Sequence, residues 1–244
     1  MAPKQRSSRG LWWAVVGGLV VIVCGAVVAG MLLTRPSPTD TSTPHTSAQA
    51  FSPLPSPSGP EGEVVDASVD ERGWVVEPIT PDPETYIRAA LAAAGTFDTT
   101  RSSRDEWLSY LDSWFTPDTR YTSEADRRTE LNAAKLELRQ SVVLPEESWE
   151  SLSGESGRVT SRVNEDLTFA PVEGDVSGDM TIGTGLVDVT FTRSDPSGEE
   201  ASYTETAEVS VQVLCGVGSV PSAGSGQRPG DCKVVRFFAE PIGS

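Results

Sequence analysis

The stretch that decides the fold is YTETAEVSVQV, residues 203–213. Its apolar residues share one parity over a long run, namely Tyr203, Ala207, Val209, Val211 and Val213. This is the period of a β-strand with one buried face. Val187, Val189 and Phe191 repeat the pattern upstream, and the DPSG sequence that begins at Asp195 predicts a turn after them. The two runs therefore predict consecutive antiparallel strands.

Weaker strand patterns flank this pair. An imperfect alternation precedes it at Val159, Val163, Leu167 and Phe169, and an apolar group follows it at Val234, Val235, Phe237 and Phe238. The C-terminal part of the chain is thus expected to form about four antiparallel strands.

Three helix signals precede the strands. Asp82 is a capping residue followed by Pro83, and residues 103–106, SRDE, match a capping box. A third segment opens at Ser123, with Ala125, Leu131, Ala134 and Leu138 directed inward. Helices followed by strands predict an α+β fold, with three helices packed on the apolar face of a curved antiparallel sheet.

Cys215 and Cys232 flank the loop GVGSVPSAGSGQRPGD. Two cysteines facing each other across a flexible loop predict a disulfide in an oxidising compartment. A metal site needs more ligands, and His45, the single histidine of the chain, falls in a Pro-rich stretch.

The N-terminal part contains an uncharged stretch, Leu11 to Leu33, of sequence LWWAVVGGLVVIVCGAVVAGMLL. A helix of this length reaches roughly 34 Å, which is enough to cross a bilayer core of about 30 Å. We therefore expect a single-pass transmembrane helix. The competing interpretations are a cleaved signal peptide and a lipoprotein acylated at Cys24.

Charges around this stretch predict its orientation. Lys4, Arg6 and Arg9 precede it and only Arg35 follows closely, so the N-terminus is expected in the cytoplasm. The resulting organisation is a cytoplasmic tail (1–10), a transmembrane helix (11–33), a Pro/Ser/Thr-rich linker (34–60), an extended arm (61–80) and an extracytoplasmic α+β domain (81–244).

The chain beyond the membrane is acidic. The whole sequence has 19 basic and 35 acidic residues. Four of the bases and none of the acids precede residue 36, which leaves 15 against 35, a formal charge of −20. Nucleic acid is therefore not an expected partner, because phosphate binding needs a basic surface.

The order of helices and strands resembles the nuclear-transport-factor-2-like, or cystatin-like, cone. Behind a basic tail, one span and a spacer, this domain resembles the bitopic assembly-factor subunits of type IV secretion and conjugation channels, of the Gram-positive and actinobacterial type. The stretch AALAAAGTFDTTRSSRDEWLSYLDSWFTPDTR, Ala89 to Arg120, carries most of the similarity. The resemblance implies a scaffold subunit that self-associates and contacts other subunits of an envelope complex.

Residues that would support an enzyme are sparse. The domain has no histidine, and only Asp98, Asp188 and Tyr203 offer an acid or a hydroxyl. We therefore expect no catalytic residue, no cofactor and no metal site. The alternative to a scaffold is a small-ligand-binding or sensory cone.

Three tryptophans are candidates for a partner surface. Trp107 and Trp114 are one heptad apart on a helix, and Trp149 lies outside any periodic pattern. Core packing is the competing interpretation of all three.

Overall fold

The computed structural model describes residues 62–164, 166–195, 197–238 and 240–242. All of them belong to one unit, Pro57–Ser244. The predicted tail, the predicted transmembrane helix with Cys24, and the predicted linker with His45 lie outside the described residues. Within these residues, no helix has the length and apolarity to cross a membrane.

The described residues contain four α-helices. They are α1 (Pro83–Ala93), α2 (Arg104–Ser113), α3 (Glu124–Glu137) and α4 (Glu146–Ser153). A 3₁₀-helix (Ala67–Arg72) precedes them, and a π-helix (Leu138–Val142) continues α3. The prediction of three helices missed α4, whose apolar residues are few and whose N-cap position is occupied by Pro145 without a side-chain cap.

The helix starts follow the predicted caps. Asp82 accepts a hydrogen bond from the Thr85 N–H, and Ser103 and Glu106 form the complete capping box of α2. Ser123 caps α3. Ala125, expected to point inward, is exposed, because α3 contacts the rest of the domain only from its second turn onward, through Leu131 and Ala134.

The sheet is antiparallel, curled and six-stranded. Its strands are β1 (Phe97–Asp98), β2 (Arg158–Val163), β3 (Thr168–Pro171), β4 (Met180–Ser194), β5 (Glu200–Leu214) and β6 (Lys233–Phe238). The order is β1-β2-β4-β5-β6, with β3 paired to the first part of β4. The predicted number of about four strands was therefore too low: the imperfect alternation from Val159 to Phe169 is two strands, and β1 is too short to show a period.

Strands β4 and β5 form the long hairpin that the sequence predicted. All 15 residues of β4 are in register with β5, from Met180 opposite Leu214 to Ser194 opposite Glu200. At about 3.4 Å per residue, this hairpin is roughly 50 Å long. Helix α1 packs against the inner face of its first half, where Ile87 lies over Gly183.

The predicted arm is part of the core. Trp74 is buried and stacks on Tyr110, with ring centroids 5.0 Å apart, and Val69 belongs to the same apolar cluster. The arm folds back on itself, since the Val65 N–H donates to the Glu77 carbonyl and the Ile79 N–H to the Glu63 carbonyl. A boundary at residue 81 would therefore divide the core.

Candidate interaction site

The inner face of the sheet is filled by side chains. Tyr86, Ile87 and Leu91 of α1 lie against the strands and are buried. At Gly183 of β4, an added Cβ would lie 2.8 Å from Ile87 Cδ1, and at Gly185 it would lie 2.7 Å from Leu167 Cδ2. Helix and sheet thus meet without space for a substrate between them at these positions.

The candidate catalytic residues are not brought together. Asp188 is directly opposite Thr206 in the neighbouring strand, and Thr206 is three residues from Tyr203. Because side chains alternate along a strand, Asp188 and Tyr203 lie on opposite faces of the hairpin. Hydrogen bonds from Thr206 and Asn164 lower the pKa of Asp188, so its carboxylate stays ionised. Asp98 is tied to Thr100 and Arg101 in a turn.

The three candidate tryptophans lie in the core. Trp107 and Trp149 stack on each other, and Phe97 packs against both, with ring centroids 4.8 and 4.2 Å away. Trp114 packs against Tyr86 and Tyr110. All three are at most 6 % exposed. They therefore present no surface to a partner, and their role in this structure is packing.

Cys215 and Cys232 form the predicted disulfide. It joins the end of β5 to the residue before β6. Backbone hydrogen bonds hold both cysteines in place, from the Cys215 N–H to the Asp179 carbonyl and from the Cys232 N–H to the Thr80 carbonyl. The bond therefore closes the loop of residues 216–231 at the point where the arm meets the sheet.

A buried ion pair lies beside the disulfide. Lys233 Nζ is 2.7 Å from Glu77 Oε1, and both side chains are at most 1 % exposed. The same carboxylate oxygen accepts hydrogen bonds from the Tyr86 hydroxyl (2.6 Å) and the Gln227 amide (3.1 Å). Glu77 Oε2 receives none from the described residues. This pair was not predicted from the sequence, because Glu77 and Lys233 are far apart in the chain and neither belongs to a periodic pattern.

Burial governs ionisation in this cluster. It lowers the pKa of Lys233, and the neighbouring Glu77 carboxylate opposes that shift. It raises the pKa of Tyr86 well above its ordinary value, and Glu77 adds to that effect. Lys233 Nζ also donates to the Ser113 carbonyl and to the Ser222 hydroxyl. The cluster therefore joins the arm, α1, the disulfide loop and β6.

A groove lies beside α3 on the surface. It has a volume of about 320 Å³, and Arg120, Gln140, Gln212 and Arg236 contribute polar groups to its walls. Arg236 is paired with Glu137 and Arg120 with Asp118. Within the described residues, no group of three or more His, Cys, Asp or Glu side chains is placed to hold a metal ion.

The outer half of the β4–β5 hairpin is the most accessible part of the sheet. Residues 200–208 of β5 are exposed, whereas residues 210–214 are buried. Beside this half, a groove of about 340 Å³ lies between α4 and the hairpin and is lined by Phe191, Tyr203 and Glu205, among others. This is the surface that the geometry makes available to another molecule.

Comparisons with known proteins give structural neighbours alone. No protein-family model matches the chain, and no curated protein does. Similar solved structures include an IcmL-like type IV secretion system protein from Legionella pneumophila, with 15% identity, a TM-score of 0.36, and 64% of this chain and 88% of that chain covered.

Two further structures are similar to the same extent. CagV from Helicobacter pylori, a VirB8 homolog of the type IV secretion system, has 12% identity and a TM-score of 0.33, with 61% and 89% of the two chains covered. A periplasmic fragment of TraM has 15% identity and a TM-score of 0.33, with 62% and 89% covered.

Proposed function

We propose that this chain is a noncatalytic, membrane-anchored assembly subunit of an envelope complex, of the conjugative or type IV secretion class. The observation that carries the proposal is the filled inner face of the sheet, where Ile87 and Leu91 occupy the volume that a cone-fold enzyme or binder leaves open. The accessible features are instead on the surface, where other subunits can bind.

The placement of the domain outside the cytoplasm belongs to this proposal. Its support is the disulfide between Cys215 and Cys232, which persists in oxidising compartments, together with the apolar stretch from Leu11 to Leu33. N-terminal sequencing of the membrane-bound protein checks the anchor. A mature N-terminus near Gly30 would indicate a signal peptide, and one at Cys24 a lipoprotein.

In-membrane crosslinking of the full chain in its native host, followed by mass spectrometry, tests the assembly role. We expect the chain to be recovered with further copies of itself and with a secretion ATPase or a polytopic channel subunit. A matched chain whose residues 11–33 are replaced by an unrelated span separates contacts of the domain from contacts of the helix. Recovery of the protein alone, as a monomer, would contradict the proposal.

A small-ligand-binding role is the second candidate, and the groove beside α3 is the observation that favours it. Native mass spectrometry of the chain extracted from its host would then show a bound mass. Arg236→Ala, in the wall of the groove, should remove that mass. Arg128→Ala, at an exposed position of α3, should leave it.

A further inference from the structure

The outer half of β5 is an open edge of the sheet. Strand β4 pairs with all of β5, whereas β6 pairs only with Ser210–Leu214. Along residues 200–209, no other strand of the described chain lies on the β6 side. In an antiparallel pair, half of the backbone N–H and C=O groups point away from the partner strand, so this edge presents a row of unpaired groups.

On the same side of the sheet, β6 is bridged by another segment at Val234. Beyond β6, the Thr116 N–H donates to the Val234 carbonyl and the Val234 N–H to the Trp114 carbonyl. The sequence of the open edge, EASYTETAEV, contains no proline, glycine or lysine, and its register with β4 is regular throughout. It therefore lacks proline, glycine and bulges, and the charges of Glu200, Glu205 and Glu208 are the device that opposes its pairing with a like-charged strand.

An aromatic groove runs next to this edge. Tyr203 is 47 % exposed and stacks on Phe191, with ring centroids 4.9 Å apart. Glu147 of α4, Glu205 of β5 and Arg193 of β4, which is paired with Glu155, also line the groove. A strand added to β5 would direct alternate side chains toward it, and the groove suits side chains with a long apolar stem and a basic end.

The open edge carries a net negative charge. Two basic residues near it are already paired, Arg193 with Glu155 (2.8 Å) and Arg158 with Glu200 (2.7 Å). A third, Arg162 of β2, lines a groove together with Asp188 and Thr204. Glu205 and Glu208 form no ion pair within the described part of the chain. The uncompensated charge beside the open edge is therefore negative, which favours a cationic partner.

We propose that an extended, lysine- or arginine-containing segment of another protein adds to this sheet as a strand along residues 200–209. Main-chain hydrogen bonds to the edge hold the segment. Glu205 shares the Tyr203 face of β5 and Glu208 lies on the opposite face, so basic side chains on the two faces of the added strand contact one glutamate each. The inference names the partner chemistry of the assembly role proposed above and rests on that role.

Two other occupants fit the edge less well. A second copy of the chain would bring its own Glu205 and Glu208 to the same edge, between two domains that each carry a formal charge near −20. The linker of residues 34–60 has recurrent prolines, which lack the N–H that strand pairing needs.

Hydrogen exchange of the full chain with a synthetic probe tests the proposal. The probe is a peptide of sequence KVKVTVVKVK, which places two lysines on each face of the added strand. Its control, KPKVTPVKPK, keeps the charge while proline replaces three of the valines. We expect the first peptide to protect backbone amides within residues 200–209 and the second to protect none. Binding of both peptides alike, or protection elsewhere, would overturn the proposal.

Matched variants separate the edge from overall charge. Glu205→Lys/Glu208→Lys should weaken binding of the first peptide by at least about tenfold. Glu71→Lys/Glu173→Lys makes the same charge change at exposed positions away from the edge and should leave binding close to that of the natural chain. Equal weakening in the two variants, or none in the first, would refute the edge as the site. Protection of residues 200–209 by self-association without peptide would assign the edge to a second copy.

Crosslinking in the host distinguishes the two proposals. If Glu205→Lys/Glu208→Lys recovers the same envelope proteins as the natural chain, the edge proposal is wrong and the assembly role stands. If the natural chain recovers none while the first peptide still protects the edge, the assembly role is wrong and the edge remains a strand-binding site.

Discussion

At the residue scale, the buried pair of Glu77 and Lys233 is the most sensitive point of the domain. Lys233→Met leaves Glu77 buried without its cation, and losing one partner of a buried pair costs about 3–5 kcal/mol. We expect the free energy of unfolding to fall by that amount in urea titrations of the full chain.

The double variant Glu77→Gln/Lys233→Met should recover part of this loss, because no unpaired charge then remains in the core. Arg128→Met removes an exposed pair with Glu124 on α3 and serves as the control; it should leave stability unchanged. If the double variant is as unstable as Lys233→Met alone, the loss of stability comes from disturbed packing and not from the unpaired charge of Glu77.

Asp82, at the start of α1, gives a pH-dependent effect. Hydrogen bonds from the Thr85 side chain and backbone lower the pKa of Asp82, so its stabilisation is present above its ordinary pKa and is lost as the pH falls below about 4. Asp82→Ala should cost about 1 kcal/mol at pH 7 and much less at pH 2. Asp82→Asn, which can still cap the helix, should lose little at pH 7; thermal melts at the two pH values provide the measurement.

At the element scale, the disulfide loop stabilises the junction of β5 and β6. Replacing Cys215 and Cys232 by serine should lower the free energy of unfolding by about 3 kcal/mol, the chain-entropy value for a loop of this size. Denaturation with and without reductant measures the effect. Cys24→Ser keeps this disulfide and is the control; it should respond to reductant as the natural chain does. A reductant effect that persists in the Cys215→Ser/Cys232→Ser variant would contradict the assignment.

Periodic elements were predictable from the sequence and short or irregular ones were not. The caps at Asp82, Ser103 and Ser123 and the β4–β5 hairpin follow from local chemistry and alternation. Helix α4 and strand β1 are held by tertiary contacts such as the stacking of Trp149 on Phe97, which no local pattern encodes. The open edge of β5 could not be predicted from the sequence either, because it depends on where β6 stops pairing with β5.

At the scale of the whole molecule, the domain extends to the N-terminal side of α1. A version of the chain that starts at residue 81 lacks Trp74 and Glu77, which uncovers Tyr110 and leaves Lys233 buried without a counter-ion. We expect it to be insoluble or unfolded, whereas a version that starts at residue 61 should give a cooperative thermal melt. Equal stability of the two would place the arm outside the folded unit.

The route of mechanical load through the molecule follows from the way the arm is attached. A pull applied from the N-terminal side first reaches the hydrogen bonds between Glu63 and Ile79 and between Val65 and Glu77. It passes next to Thr80 and Glu77, and through them to Cys232 and Lys233. Tension applied from the N-terminal side therefore arrives at the covalently closed end of the sheet before it reaches the open outer half of the hairpin.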